Sequence, residues 1–304
     1  MMKYLTGDNN VLATLLGLGE TKIDTEILTT VMAAAGIIQG SLLMFTPNFS
    51  RKMFGIKDDS IYTLANLEYL GASILSIGIT CFCLFVLKLE ETHKVVGWTL
   101  VVWAVETSLA LLKQYPAKAG GDPTLPRIWF FLLLETIRAC FMSAAYTHAA
   151  MASCSLIGLN GILAATAPRI SANMYGYSKV QLNDDQLNTL RSCGYECLAM
   201  SVFILSLLND IQAHTALGLT SLVITAHCAH TLVGKVYNST YGNFGSLLHY
   251  LWMIFLASCA ANLLATKKVG YLMGGVIGIV TILKLPFLFE FEYPQIVEEK
   301  VLTK

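Results

Sequence analysis

Charged residues are scarce along the whole chain. Asp, Glu, Lys and Arg make up 13% of the 304 residues, against about 25% in an ordinary soluble domain. The mean hydropathy is +0.60, and the shortfall of charge is not confined to one segment. The formal net charge is zero, and there is no basic block of the kind that binds nucleic acid. The composition excludes a soluble domain with a single anchor. It predicts a polytopic membrane protein whose partner is the lipid bilayer and not a nucleic acid.

Motifs of nucleotide binding and hydrolysis are also missing. The sequence contains no P-loop, no G-x-S-x-G and no H-E-x-x-H. All eight cysteines fall in apolar segments, where they serve as small packing residues, so a disulfide framework is not expected. The sequence therefore assigns no catalytic residue, no metal site and no identifiable cofactor. It does not decide whether the protein is an enzyme, and the missing motifs favour a protein that is not one.

What the chain has instead is a succession of apolar runs close to the roughly 20 residues that cross a bilayer. We predict an all-α polytopic fold with about nine transmembrane helices. The predicted spans are 27–46, 64–87, 94–113, 128–149, 152–168, 190–209, 214–234, 244–265 and 269–289. An extramembrane arm, 1–25, precedes them, and a charged tail, 291–304, follows.

An internal repeat divides the apolar part of the chain. The stretch "GSLLMFTPNFSRKMFG" at 40–55 matches "GILAATAPRISANMYG" at 161–176, with glycine, proline, methionine and glycine at a constant offset of 121. Two further blocks follow in the same order at nearly the same offset. The pattern predicts a four-helix repeat at 26–150, a second at 151–266 and a terminal helix at 267–290. Because each unit holds an even number of spans, the two repeats are expected to be parallel.

The start of each unit resembles a known family of small four-helix membrane modules, the DoxX-like proteins. The resemblance rests on a glycine-containing first helix, the segment "TPNFSRKMFG" and the second helix "LEYLGASILSIGI". It covers residues 36–113 and 158–234. In the second unit Arg191 takes the position of Glu68. The resemblance implies a fold, and since the roles of such modules vary, it implies little about function.

Ionisable residues inside the spans are the candidates for a functional site, because each costs about 2.5–3.5 kcal/mol or more at the centre of a bilayer. Candidates for binding a ligand or a proton are Glu106, Glu135, Arg138, Glu196, His227, His230 and His249.

Two of these candidates, Glu135 and Arg138, are three residues apart and can share one helix face. They are either a self-neutralising packing pair or a pair that faces a cavity. At the offset of 121, His227 aligns with Glu106, whereas His230 aligns with no ionisable residue of the first unit. The histidines are either structural hydrogen-bonding groups, a proton or polar-ligand site, or ligands of a metal or haem.

Lys and Arg counts in the short loops give a predicted orientation. Loops after odd-numbered spans carry more of these residues than loops after even-numbered spans, which puts the C-terminus in the cytoplasm. Three functions remain open. The first is a carrier or channel for a small solute or ion, with proton coupling as one variant. The second is a non-catalytic membrane subunit or scaffold, as a homo-oligomer or with other partners. The third is a membrane redox or lipid-modifying enzyme.

Overall fold

The protein is an all-helical membrane protein in the computed structural model, which describes residues 11–19, 23–142, 146–234 and 240–288. No strand occurs within these ranges. The predicted tail, 291–304, and the first ten residues of the predicted arm lie outside them. Nine helices of 19 to 25 residues form the body of this described part of the chain. In chain order they are α1 Thr25–Phe45, α2 Ile61–Cys81, α3 Thr92–Leu112, α4 Thr124–Met142, α5 Tyr146–Thr166, α6 Asp184–Leu208, α7 Ala213–Val233, α8 Asn243–Leu263 and α9 Lys267–Leu288.

Seven of these helices are long and apolar enough to cross a membrane. This fits an integral, multi-pass membrane protein. The other two, α4 and α9, coincide with predicted spans, but each carries three charged residues. The number of nine spans therefore stays a prediction. The α4 helix also ends at Met142, earlier than the predicted 149, and α5 begins at Tyr146, earlier than the predicted 152.

The helices pack around a central pair, α2 and α6, which contact each other and are the two most buried of the seven spans. The α1 helix packs on α2, and α5 packs on α6. The α3 helix packs on α4, and α7 packs on α8. The contacts of the first four helices thus have counterparts among the next four, and α9 packs against α8.

The ends of α1 and α5 have matching backbone geometry. Thr46, before Pro47, has φ −131° and ψ 55°, and Ala167, before Pro168, has φ −133° and ψ 63°. Each proline begins a short helix, where its missing N–H leaves no donor unpaired. Both short helices are followed by a glycine with positive φ, at positions 55 and 176. Glycine stands at both positions because it adopts a positive φ more freely than any other residue.

Glycines bring the first two helices of each predicted repeat, α1 with α2 and α5 with α6, into backbone contact. A Cβ added to Gly71 would lie 2.4 Å from the backbone N of Met44, and one on Gly194 would lie 2.5 Å from the backbone N of Ala165. A Cβ on Gly40 would lie 2.4 Å from the backbone N of Leu75. Side chains larger than hydrogen would therefore separate the helices at both crossings.

Candidate functional site

The candidate site is a cavity between helices of the first predicted repeat and helices of the second. The α1 and α2 helices form one wall, and α6, α7 and α8 form the other. The space between these walls is about 780 Å³, its open mouth included. Most of the lining is apolar, contributed by residues such as Met32, Leu70 and Ile77. Gln39 and Trp252, on facing helices, are partly exposed and mark the rim.

The polar end of this cavity holds a buried carboxylate–imidazole pair. Glu196 of α6 and His227 of α7 are 2% and 5% exposed, and Nδ1 of the histidine lies 2.9 Å from Oε1 of the glutamate. The ring of Tyr195 stacks on His227 with centroids 5.1 Å apart and planes 11° apart. The stacking and the hydrogen bond together fix the orientation of the imidazole.

The pair leaves two further polar atoms buried at the cavity. Glu196 Oε2 and His227 Nε2 have no hydrogen-bond partner among the residues that the structure describes. In the neutral imidazole, the Nδ1–H donates to the carboxylate, so Nε2 carries a lone pair. The cluster therefore presents two acceptors, and a ligand with a donor group would satisfy them. Protonation of the histidine would convert Nε2 into a donor.

Aromatic rings close the cavity behind this pair. His249 Nδ1–H donates to the carbonyl of Gly245 at 2.7 Å. The ring of His249 meets those of His227 and Tyr241 with centroids 6.0 and 4.6 Å away. The Tyr241 hydroxyl lies 2.8 Å from Ser192 Oγ. Burial raises the pKa of Tyr241 to about 12, so its hydroxyl stays neutral and available for hydrogen bonding at ordinary pH.

The remaining predicted residues lie away from this pair. His230 Nδ1 is 3.1 Å from the hydroxyl of Tyr195, the residue whose ring stacks on His227. Glu106 of α3 is fully buried, and neither of its carboxylate oxygens has a hydrogen-bond partner in the described parts of the chain. Its helix neighbours Trp103 and Thr107 line a different cavity. Glu106 and His227 therefore occupy matched positions in the sequence, but His227 lines the first cavity and Glu106 is not among the residues that line either one.

The pair Glu135 and Arg138 forms as the spacing predicts, with Arg138 Nη2 2.8 Å from Glu135 Oε2. Its side chains are 67% and 65% exposed, so the pair lies on the outer surface of α4 and not in a cavity. The exposed side chains of Phe131, Leu134 and Phe141 surround it on the same helix.

Sequence reasoning missed several members of the cavity. Gln39, Ser192 and Tyr241 line it, yet amides and hydroxyls are common in membrane helices and carry no signal by themselves. A third buried carboxylate, Glu68, has two partners: Lys113 Nζ donates to it at 2.6 Å and the Tyr115 hydroxyl donates to it at 2.7 Å. Its partners follow the end of α3, about 45 residues downstream, and no local pattern connects them.

Within the described ranges, no group of three or more His, Cys, Asp or Glu side chains is arranged to hold a metal ion. A search of known protein families, curated proteins and solved structures found no match to this chain. The site must therefore be interpreted from its own geometry.

Proposed function

We propose that the protein is a proton-linked carrier that binds a small amphipathic solute in the cavity beside Glu196 and His227. One observation carries this proposal. A buried carboxylate–imidazole pair stands at the end of an apolar cavity with one unpartnered acceptor on each residue, among the residues described. Ionisable groups at such depth are costly and mark ligand or proton pathways in membrane proteins.

The lining defines the class of solute. Apolar side chains along the walls favour an apolar body, and the two acceptors favour a head that donates hydrogen bonds, such as an alcohol or an amine. The bound head competes with a proton for His227 Nε2. Binding of the solute and protonation of the imidazole are therefore linked, which is the property that a proton-coupled carrier needs.

The carrier is proposed to consist of two parallel four-helix units followed by a terminal helix. The matching helix contacts, the matching backbone at Thr46 and Ala167, and the glycine crossings in both halves support this arrangement. The resemblance to DoxX-like modules stays a prediction. The orientation with a cytoplasmic C-terminus remains part of the proposal.

Binding is tested with a matched pair of probes on the purified protein. We expect 4-phenylbutan-1-ol to raise the melting temperature, because its hydroxyl donates to one of the two buried acceptors. Its methyl ether has the same body without the donor and is expected to stabilise the protein much less. Equal stabilisation by both probes would show that the acceptors do not recognise the solute.

Proton coupling is tested in proteoliposomes that contain an internal pH-sensitive dye, under a potassium diffusion potential. The alcohol crosses the bilayer and is present on both sides, so exchange of bound alcohol for a proton lets the potential drive protons inward. We expect the alcohol to increase proton influx in this way, and Glu196→Gln and His227→Asn to abolish that increase. The matched control is Glu135→Gln, an exposed carboxylate on α4, which is expected to retain it. If both site variants conduct as the unaltered protein does, the pair has no part in transport and the proposal is wrong.

A second candidate function is a subunit of a larger membrane complex. The exposed ion pair of Glu135 and Arg138 favours it, because charged groups on an apolar helix face are costly against lipid and are better satisfied against a protein partner. A homo-oligomer would satisfy them equally well.

A further inference from the structure

A second cavity lies on the opposite side of the α2–α6 contact. The α2, α3 and α4 helices form one wall, and α5 and α6 form the other. The space between the walls is about 1010 Å³, its open mouth included. None of the residues predicted as a site from sequence lines this cavity, and the proposed carrier function does not use it.

The two cavities are built from equivalent positions. Gly36, Gln39 and Leu43 of α1 line the first cavity, and Ile157, Asn160 and Ala164 of α5, each 121 residues later, line the second.

The α2 positions 67, 70 and 74 recur in α6 at 190, 193 and 197, each 123 residues later. The rims also correspond, because Gln39 and Trp252 have counterparts in the partly exposed Asn160 and Trp129. Equivalent positions line a cavity at two separate places, which indicates that the cavities are a regular feature of the fold and not packing defects.

The chemistry of the second cavity differs from that of the first. Among the described residues that line it, none is Asp, Glu, Lys, Arg or His, and seven are aromatic. Trp103 takes the position that Ile224 has in the first cavity, and Tyr175 takes that of Phe54. Broad, flat rings line this space, and they favour a planar ligand that can stack or meet ring edges.

Hydroxyl and amide groups are placed among these rings. Trp129 Nε1–H donates to the Tyr175 hydroxyl at 3.1 Å, and the rings of Tyr62 and Tyr177 meet edge to face with centroids 4.8 Å apart. Burial raises the pKa of Tyr177 to about 12, so this hydroxyl is neutral at ordinary pH. Without a counter-charge in the lining, a charged ligand would lose its hydration uncompensated.

We propose that the second cavity is a separate binding site for a small, uncharged, planar molecule with an aromatic or conjugated ring system and hydrogen-bonding groups at its edge. The aromatic walls provide the contact area, and the tyrosine hydroxyls and Asn160 orient the ligand. The site is independent of the Glu196–His227 pair, so it stands whether or not the first cavity transports a solute.

The test uses the full-length protein in lipid nanodiscs and the neutral planar probe 1-aminoanthracene, with empty nanodiscs as the reference for lipid partitioning. Binding is measured by energy transfer from tryptophan. Ala164→Leu fills the second cavity with the residue that the first cavity has at the equivalent position, Leu43, and Ile224→Trp fills the first cavity with the counterpart residue of the second. We expect the first substitution to weaken binding at least tenfold and the second to change it less than twofold.

A competition series tests the class of ligand. 2-Naphthol, 2-naphthoate and 2-naphthylmethylammonium share one ring system and differ in charge at neutral pH. We expect the naphthol to displace the probe at concentrations at least tenfold lower than either ion. If an ion competes as well as the naphthol, the site is not selective for uncharged ligands and that part of the proposal is wrong.

The filling variants also define the result that overturns the site itself. Unchanged binding in Ala164→Leu, or equal losses in Ala164→Leu and Ile224→Trp, would place the probe elsewhere. If Ala164→Leu does not fold, as judged by size-exclusion chromatography and melting temperature, Ala65→Leu fills the same cavity from α2, where Ala65 is partly exposed. Retained binding in that variant would equally refute the proposal.

Discussion

The glycine contacts between α1 and α2 can be tested by adding a single methyl group. In Gly40→Ala the new Cβ would lie 2.4 Å from the backbone N and 2.6 Å from the Cα of Leu75. Favourable contacts between heavy atoms begin at about 3.5 Å, so the helices must separate locally by roughly 1 Å. Backbone atoms cannot rotate away as a side chain can, and the close packing of this crossing is lost.

The expected cost follows from that geometry. Overpacking a buried contact costs about 1–3 kcal/mol, and we expect Gly40→Ala at the upper end because its contacts are with backbone. Gly161→Ala, the equivalent change in α5, places its Cβ 2.7 Å from the carbonyl O of Gly194 and should cost about 2 kcal/mol. At Gly275 in α9, a Cβ would meet no atom of the described residues within 4 Å. Gly275→Ala should therefore stabilise the helix by about 0.5–1 kcal/mol.

The three variants have the same chemical change and differ only in what surrounds it. The free energy of unfolding is measured in detergent micelles by denaturant titration, followed by tryptophan fluorescence and circular dichroism. The order expected is Gly275→Ala above the unaltered protein, then Gly161→Ala, then Gly40→Ala. If Gly40→Ala is as stable as Gly275→Ala, then α1 and α2 do not pack at backbone distance and the described crossing is incorrect.

Two further predictions concern charged groups outside the cavities. Burial raises the pKa of Asp58, but hydrogen bonds from Ser60, Thr63 and Asn183 outweigh it, so the pKa in the folded protein lies below its ordinary value. A carboxyl group with a lowered folded pKa stabilises above its unfolded pKa of about 3.9 and loses that contribution as the pH falls through the folded value. The melting temperature of Asp58→Asn should therefore fall less between pH 5 and pH 3 than that of the unaltered protein, and parallel curves would contradict this. Removal of the exposed pair by Glu135→Ala and Arg138→Ala should change the free energy of unfolding by less than about 1 kcal/mol. If the pair binds a partner, the particle mass measured in mild detergent should fall. An unchanged mass would argue against the subunit function.

The sequence predicts the helices well and their neighbours poorly. Each of the nine predicted spans overlaps a helix because a long apolar run must hydrogen-bond its own backbone in lipid. The repeat also locates the glycine crossings, since glycine at a fixed offset reports a local requirement for close approach. The ion pair of Glu135 and Arg138 follows from its spacing alone.

The partners of the buried groups depend on long-range register and could not be predicted. Nothing in the sequence of α6 indicates that Glu196 meets His227, which lies 31 residues later on another helix. The repeat matched His227 to Glu106, but it could not show that His227 lines a cavity and that Glu106 does not. The exposure of Glu135 was equally hidden, because the sequence alone does not show which face of α4 packs against α3 and α5.

The way the cavities are assembled has a consequence for how they can change. Each cavity takes the first two helices of one half and the later helices of the other. In a symmetric pair of identical four-helix chains, every substitution would appear in both cavities at once, so an acid–histidine pair in one would force the same pair into the other. Joining the halves in one chain removes that constraint. One cavity is then free to keep Glu196 and His227, while the other has an aromatic lining with no charged side chain among its described residues.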